Sequence, residues 1–155
     1  MFKIKIMSEN APKAIGPYSP ALQIGDFIYV SGQLPVDPKT GLLVEDDIKV
    51  QTRQSLSNLK SILNEVGCDT RHIMKTTVFM SDLKEFDAMN EVYAQFFEEP
   101  YPSRSCVQVA ALPKGAKVEI EALVIDTVKY EKSASGCSNC SGECCEGDDD
   151  CDCGH

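Results

Sequence analysis

The chain has 155 residues, 43% hydrophobic and 25% charged, which suits one ordinary globular domain that hides roughly two thirds of its surface on folding. Fifteen basic residues stand against 24 acidic ones, a net charge of -9, which counts against a nucleic-acid phosphate backbone or an anionic membrane as the default partner and favours a small solute. The opening MFKIKIMSENAPK has no charged segment followed by an apolar one, and no apolar run approaches the roughly 18 residues of a spanning helix, so a cytoplasmic chain is expected.

The charge is unevenly spread. Ser133 to His155 holds six acidic residues and no Lys or Arg. Six of the eight cysteines also fall there: Cys137, Cys140, Cys144, Cys145, Cys151 and Cys153. This stretch has no aromatic or branched aliphatic residue, so it cannot bury enough apolar surface to offset the entropy of ordering, and it is expected to be disordered or clustered around metal. The division is a domain over residues 1–130 and an acidic, Cys-rich tail over 131–155.

Within the domain, Phe2, Ile4 and Ile6 alternate with lysines as in a half-buried strand, and the proline-rich stretch from Ala11 to Pro20 follows as a long loop. Ala21 to Ile24 and Phe27 to Ser31 flank Gly25-Asp26 as a hairpin. Asp46 or Asp47 can cap a helix whose Leu56, Leu59, Leu63 and Val66 recur at helical spacing, with Gly67 to end it. Ile73 to Met80 reads as a strand. Ser81 or Asp82 then starts a second helix with Leu83, Phe86, Met89 or Asn90, Tyr93 and Phe97 inward, and Arg104 to Val109 and Lys117 to Asp126 complete the strands. The order β-β-β-α-β-α-β-β predicts an α+β fold, a single sheet with two helices on one face. The other face then needs cover, which copies of the same chain would supply.

Phosphate-cradling, dinucleotide, zinc-protease and serine-hydrolase motifs are all absent. His72, the only histidine before the tail, is expected at the surface. Strand alternation puts Arg104, Cys106 and Gln108 on one side of their strand, so a guanidinium shares a face with a thiol. A guanidinium fork pairs bidentately with carboxylates, which makes Arg104 a candidate anchor for a small carboxylic acid; a surface or interface ion pair is the competing use. Glu119 and Glu121 share a face opposite Val118 and Ile120, and one of them could orient a water; periodicity leaves the choice open. Cys106 lies beside a cation that would favour its thiolate, but without a placed general base it reads as a pocket contact or a structural thiol. Tyr18 in the proline-rich loop is a candidate lid or a packed aromatic, and Ser31 a candidate water holder or a turn cap.

Three pieces, Asn10 to Tyr18, Ser31-Gly32-Gln33-Leu34-Pro35, and Pro102-Ser103-Arg104-Ser105-Cys106-Val107 through Val118-Glu119-Ile120-Glu121, resemble in content and order the Rid (YjgF-type) enamine/imine deaminases, over about Ile4 to Ile125. The resemblance implies a chorismate-mutase-like fold, a homotrimer with a cleft at each subunit boundary, and hydrolysis of 2-enamino and 2-imino acids such as 2-aminoacrylate and 2-iminobutanoate to 2-oxo acids and ammonia, without a cofactor. It further implies that Arg104 anchors the substrate carboxylate and Glu119 activates water, leaving Glu121 structural. Tyr18 would be the lid, Ser31 a pocket group, Cys106 a pocket wall, and Asn90 a further cleft contact. A ribonuclease-like or translation-inhibiting role, also attributed to some relatives, is the rival, weakened by the acidity and the lack of a basic stripe.

The resemblance ends before the tail. Cys137-x-x-Cys140, Cys144-Cys145 and Cys151-x-Cys153-x-His155 offer six thiols and an imidazole to zinc, copper(I) or iron, in a spacing closer to a metallothionein-like cluster than to a zinc finger. Disulfide formation on oxidation is the alternative use of these residues, and a metal carrier built around the tail is a third functional class.

Overall fold

Six short, β-rich segments of the chain become strands. In a computed structural model, described for residues 2–128, 130 and 131, these are β1 (Ile4–Ile6), β2 (Ala21–Ile24), β3 (Phe27–Gln33), β4 (Ile73–Met80), β5 (Ser103–Gln108) and β6 (Val118–Ile125). Helix α1 (Ile48–Asn64) lies between β3 and β4, and α2 (Phe86–Phe96) between β4 and β5. The chain order is the one expected.

Asp47 starts α1 by accepting hydrogen bonds from the amides of Lys49 and Val50 at 2.8 and 3.0 Å, which satisfies two donors a helix leaves unpaired at its N-terminus. Gly67, at φ 76°, turns the chain after it, in a conformation that side chains strain to adopt. The second helix starts later than expected. Asp82 caps a 3-10 turn over Leu83–Glu85 and the α-helix follows at Phe86, so Leu83 precedes the buried stripe and is exposed.

The strands form one mixed sheet in the order β1-β2-β3-β6-β4-β5. Only β4 and β5 run parallel, as the helical crossover through α2 demands. Side chains alternate between the two sheet faces. Ile28, Val30, Thr76, Val78, Met80, Val118, Ile120 and Val124 are buried with Leu56, Leu59, Ile62 and Leu63 of α1 and Met89 and Tyr93 of α2. The opposite face carries Phe27, Tyr29, Lys75, Thr77, Phe79, Glu119 and Glu121, and none of these is fully buried. This is the α+β, chorismate-mutase-like arrangement, one mixed sheet with both helices on one side.

Two local expectations are corrected. In β1 only Ile6 is buried, while Phe2 and Ile4 are exposed, because this three-residue strand lies at the sheet edge beyond the reach of the helices. His72 is not at the surface: it is 3% exposed. Asp69 caps the turn Thr70–His72 in a reciprocal capping box, in which its own amide donates to His72 Nδ1 at 3.0 Å, and His72 Nε2 lies 3.2 Å from Glu131 Oε1. The capping box draws inward a ring that the neighbouring Arg71 made look external. The tail candidates Cys137, Cys140, Cys144, Cys145, Cys151, Cys153 and His155 lie outside the described residues.

Candidate active site

Strand register decides which candidates can meet. Arg104 pairs across the sheet with Thr76, and Cys106 with Val78; both partners are buried on the helical side. Glu119 pairs with Phe79 and Glu121 with Thr77, on the open side. Arg104 and Glu119 therefore project from opposite faces of one sheet, and no rotamer brings them together within a single chain.

Each side has its own cleft. On the open side Tyr18, Ser31 and Glu119 line a hollow of about 520 Å³ together with Ile15, Gly32 and Lys114. A β-bulge builds it: between Val30 and Gln33 the pairing with β6 shifts, so Ser31 and Gly32 together oppose Glu121. A Cβ on Gly32 would fall 1.9 Å from Glu119 Oε1, so the carboxylate occupies the space that the glycine vacates. Ser31 donates through its hydroxyl to the Ser19 carbonyl at 2.7 Å, and its amide donates to the Pro20 carbonyl at 2.9 Å. These bonds hold the proline-rich loop, and with it Tyr18, at the mouth of the hollow. Burial, and then the like charge of Glu121, push the Glu119 carboxyl above the usual carboxylate range. Such a group takes up a proton more readily than a free carboxylate, as a general base must.

On the helical side Arg104, Asn90, Tyr93, Ala94, Tyr101 and Pro102 line a second hollow of about 410 Å³. Arg104 donates from Nη1 to Asn90 Oδ1 at 2.6 Å, and its guanidinium carbon lies 4.5 Å from the Tyr93 ring centroid and 5.5 Å from that of Phe86. Cys106 shares this face and packs against the core. Burial raises its thiol pKa more than Arg104 lowers it, which agrees with a structural thiol rather than a nucleophile. Cys68, buried near Asp126, is pushed up to about 12 by burial first and then by that carboxylate.

The structure thus joins Tyr18, Ser31 and Glu119 in one place and Asn90 and Arg104 in another. Two residues of the open hollow were missed in the sequence. Gly32 sat inside a noticed motif, but its packing on Glu119 depends on a bulge that has no short-range signature. Lys114 lay in a stretch read only as a turn, and it holds an uncommon φ of 59° while its Nζ donates to the Gly41 carbonyl at 3.0 Å. Among the described residues no group of three or more His, Cys, Asp or Glu side chains is placed to hold a metal.

Against known proteins, residues 8–126 match the family model described as Endoribonuclease L-PSP. The chain belongs to this family, which includes the Rid proteins. It is 51% identical to a RutC family protein of Pyrococcus horikoshii, over 76% of this chain and 94% of the relative. It is 50% identical to the 2-iminobutanoate/2-iminopropanoate deaminase of Salmonella typhimurium, over 77% of this chain and 95% of that one. Among solved structures, TdcF of E. coli with bound serine superposes with a TM-score of 0.75 at 47% identity, covering 79% of this chain and 98% of its own.

Proposed function

We propose that the protein hydrolyses 2-imino acids, and the 2-enamino acids that tautomerise to them, to 2-oxo acids and ammonia. The observation that carries this reading is a pair of complementary half-sites: a guanidinium with one edge of its fork open, and a half-buried carboxylate beside a lid tyrosine. The Salmonella relative bears this activity in its name, and a small carboxylate ligand, serine, occupies TdcF.

The half-sites face opposite ways on one sheet, so the working site takes Arg104 and Asn90 from one copy and Tyr18, Ser31 and Glu119 from another. A homotrimer with three such clefts fits this geometry, and the exposed Phe27, Tyr29 and Val107 of the open sheet face supply apolar surface for the contact. Arg104 binds the substrate carboxylate bidentately. Glu119 takes a proton from water as the oxygen adds to the imine carbon, and passes that proton to the nitrogen. Glu119 then takes the adduct's hydroxyl proton and delivers it to the amino nitrogen as the C–N bond breaks, so that ammonia leaves and the 2-oxo acid remains. An imine carbon is already electrophilic, so orientation and charge placement supply most of the catalysis and no cofactor is called for. Cys106 is part of the wall behind Arg104, and Glu121 tunes Glu119.

The test couples the protein to a threonine dehydratase that releases 2-iminobutanoate and follows 2-oxobutanoate. Wild type accelerates the reaction and Arg104→Ala does not; a fully active Arg104→Ala would refute the reading. The family's endoribonuclease name supplies a second reading, and incubating the same preparation with RNA separates the two. We assign the protein to the cytoplasm, where pyridoxal-phosphate enzymes release such imines and their removal protects other enzymes; no helix among the described residues is long and apolar enough to cross a membrane. We further propose that residues 131–155 form an appendage that binds zinc, copper(I) or iron through Cys137, Cys140, Cys144, Cys145, Cys151, Cys153 and His155, separately from catalysis.

A further inference from the structure

We infer that Tyr93 is a positioning residue for the reaction: a fixed aromatic shelf that aims the Arg104 guanidinium at the substrate carboxylate. The inference rests on the deaminase reading above and adds a residue to it that touches no reacting atom.

The shelf is built from one stripe of α2. Phe86, Asn90, Tyr93 and Phe97 follow at steps of four, three and four, so they stack along one side of the helix and its C-terminal end. Among the described residues, the side-chain hydrogen bond and the ring contacts of Arg104 come from this stripe. Asn90 accepts from Nη1 at 2.6 Å, and the rings of Tyr93 and Phe86 lie 4.5 and 5.5 Å from the guanidinium carbon.

Tyr93 itself is held on two other sides. Its hydroxyl bonds to Thr76 Oγ1 at 2.7 Å, and Phe97 backs it with ring centroids 4.5 Å apart. Tyr93 is 5% exposed and Thr76 fully buried, so water does not compete for the hydroxyl bond. Thr76 is also the register partner of Arg104 on the neighbouring strand. The strand pair that carries the anchor therefore also carries the bolt that holds its shelf. Burial keeps the phenol protonated, outweighing the Thr76 bond and the Arg104 charge.

The physical consequence concerns entropy. A free arginine side chain has rotamer freedom that it gives up when it binds a carboxylate. A guanidinium already lying on an aromatic face, with Asn90 occupying one nitrogen, has given up much of that freedom before the substrate arrives. Its remaining edge is presented in one plane, which bidentate pairing needs and a swinging point charge does not supply.

The test measures apparent KM and kcat in the dehydratase-coupled assay, together with binding of the product 2-oxobutanoate by calorimetry. Variants are Tyr93→Leu and Tyr93→Phe, and Tyr93→Leu again in an Arg104→Lys background, which keeps measurable kinetics but has no planar fork to aim. Tyr93→Leu should raise KM and weaken 2-oxobutanoate about five- to tenfold, with kcat lowered less than about threefold, because the aim matters as much before the transition state as in it. Tyr93→Phe keeps the ring but loses the Thr76 bond, so its KM should lie between those of wild type and Tyr93→Leu. In the Arg104→Lys background the leucine should add nothing, which general loosening of the core would not reproduce. A folded Tyr93→Leu with wild-type KM overturns the inference, as does an equal loss in both backgrounds. If Tyr93→Leu does not fold, Tyr93→Met keeps flexible apolar bulk without a ring, and failure of both to fold assigns the ring to the core and overturns the inference. Wild type that neither accelerates the reaction nor binds 2-oxobutanoate refutes the deaminase reading and the shelf with it. An active wild type, a dead Arg104→Ala and an unimpaired Tyr93→Leu remove only the shelf.

Discussion

Gly32→Ala isolates the placement of the Glu119 carboxylate without altering any ionisable group. The new Cβ would lie 1.9 Å from Glu119 Oε1, 2.7 Å from its carboxyl carbon and 3.0 Å from Cγ, where ordinary contact begins at 3.4 Å. Oε1 must retreat by about 1.5 Å to restore contact, and a misplacement of about 1 Å at a reacting group can cost on the order of a hundredfold. The atoms that move are the far end of a flexible chain, and Gly32 is not among the glycines with positive φ. The fold should therefore tolerate the methyl, aided by roughly 0.4–1 kcal/mol from the reduced entropy of the unfolded chain. In the coupled assay kcat should fall about a hundredfold while KM changes only a few-fold, because the carboxylate anchor is elsewhere. Melting temperature and oligomeric state should match wild type. A correctly assembled Gly32→Ala with wild-type kcat would mean that the carboxylate does not act from its position beside the bulge, and the water-activating role of Glu119 would be lost with it.

Four further outcomes are expected. The proposed mechanism makes Glu119 the base, and its pKa is raised by burial and then by Glu121, so the rate should fall as pH drops through a limb lying above the usual carboxylate range. Glu121→Gln removes one raising cause and should move that limb to lower pH; an unmoved limb would show that another group controls it. Arg104→Lys keeps the charge but loses the fork, so KM should rise about tenfold or more, and a wild-type KM would discard bidentate anchoring. Deleting residues 133–155 should leave the deaminase rate unchanged and abolish zinc or copper(I) binding measured on the purified chain; bound metal that survives the deletion would have to lie elsewhere. Finally, His72→Ala strips an acceptor from the half-buried Asp69 amide and opens a cavity where the buried ring stood, so denaturant melts should show a loss of about 1–3 kcal/mol; an unchanged midpoint would reduce the capping box to a surface detail.

What could be read in advance follows from the range of the forces involved. Strand alternation and helix spacing are local, so β6 could be divided correctly into buried Val118 and Ile120 and outward Glu119 and Glu121. Arg104 and Cys106 could be put on one face for the same reason. The start of α2 was misjudged because Ser81 and Asp82 carry a capping signal that a 3-10 turn uses equally well. His72 was misplaced because its burial depends on a bond back to Asp69 and on Glu131, far along the chain. Gly32 sat in a noticed motif, but its packing on Glu119 had no local mark: the bulge that aims it depends on pairing with a strand almost ninety residues later in the sequence.

Even perfect knowledge of each strand would not have located the site, because the decisive relation lies between strands. Alternation says which residues share a face within one strand, and only the register across β3, β6, β4 and β5 says that the face of Arg104 is not the face of Glu119. Once that register is known, a monomeric enzyme using both residues is excluded by the pleat itself, since a residue cannot change faces without slipping a whole strand out of register. Such a slip would turn Val118 and Ile120 outward and bury two carboxylates in the helical core, at a cost no substrate contact could offset. The chain therefore has two courses: to use its half-sites separately, or to meet itself. Mixing inactive Arg104→Ala with inactive Glu119→Gln subunits distinguishes them. If each cleft combines the two residues from different copies, mixed trimers regain activity at boundaries where an intact Arg104 meets an intact Glu119. No boundary within either parent provides that pair. Random mixing of equal amounts should restore roughly a quarter of the wild-type rate, since each of the two contributing subunits is intact at its own residue half the time. A mixture that exchanges subunits yet stays inactive would refute the shared cleft.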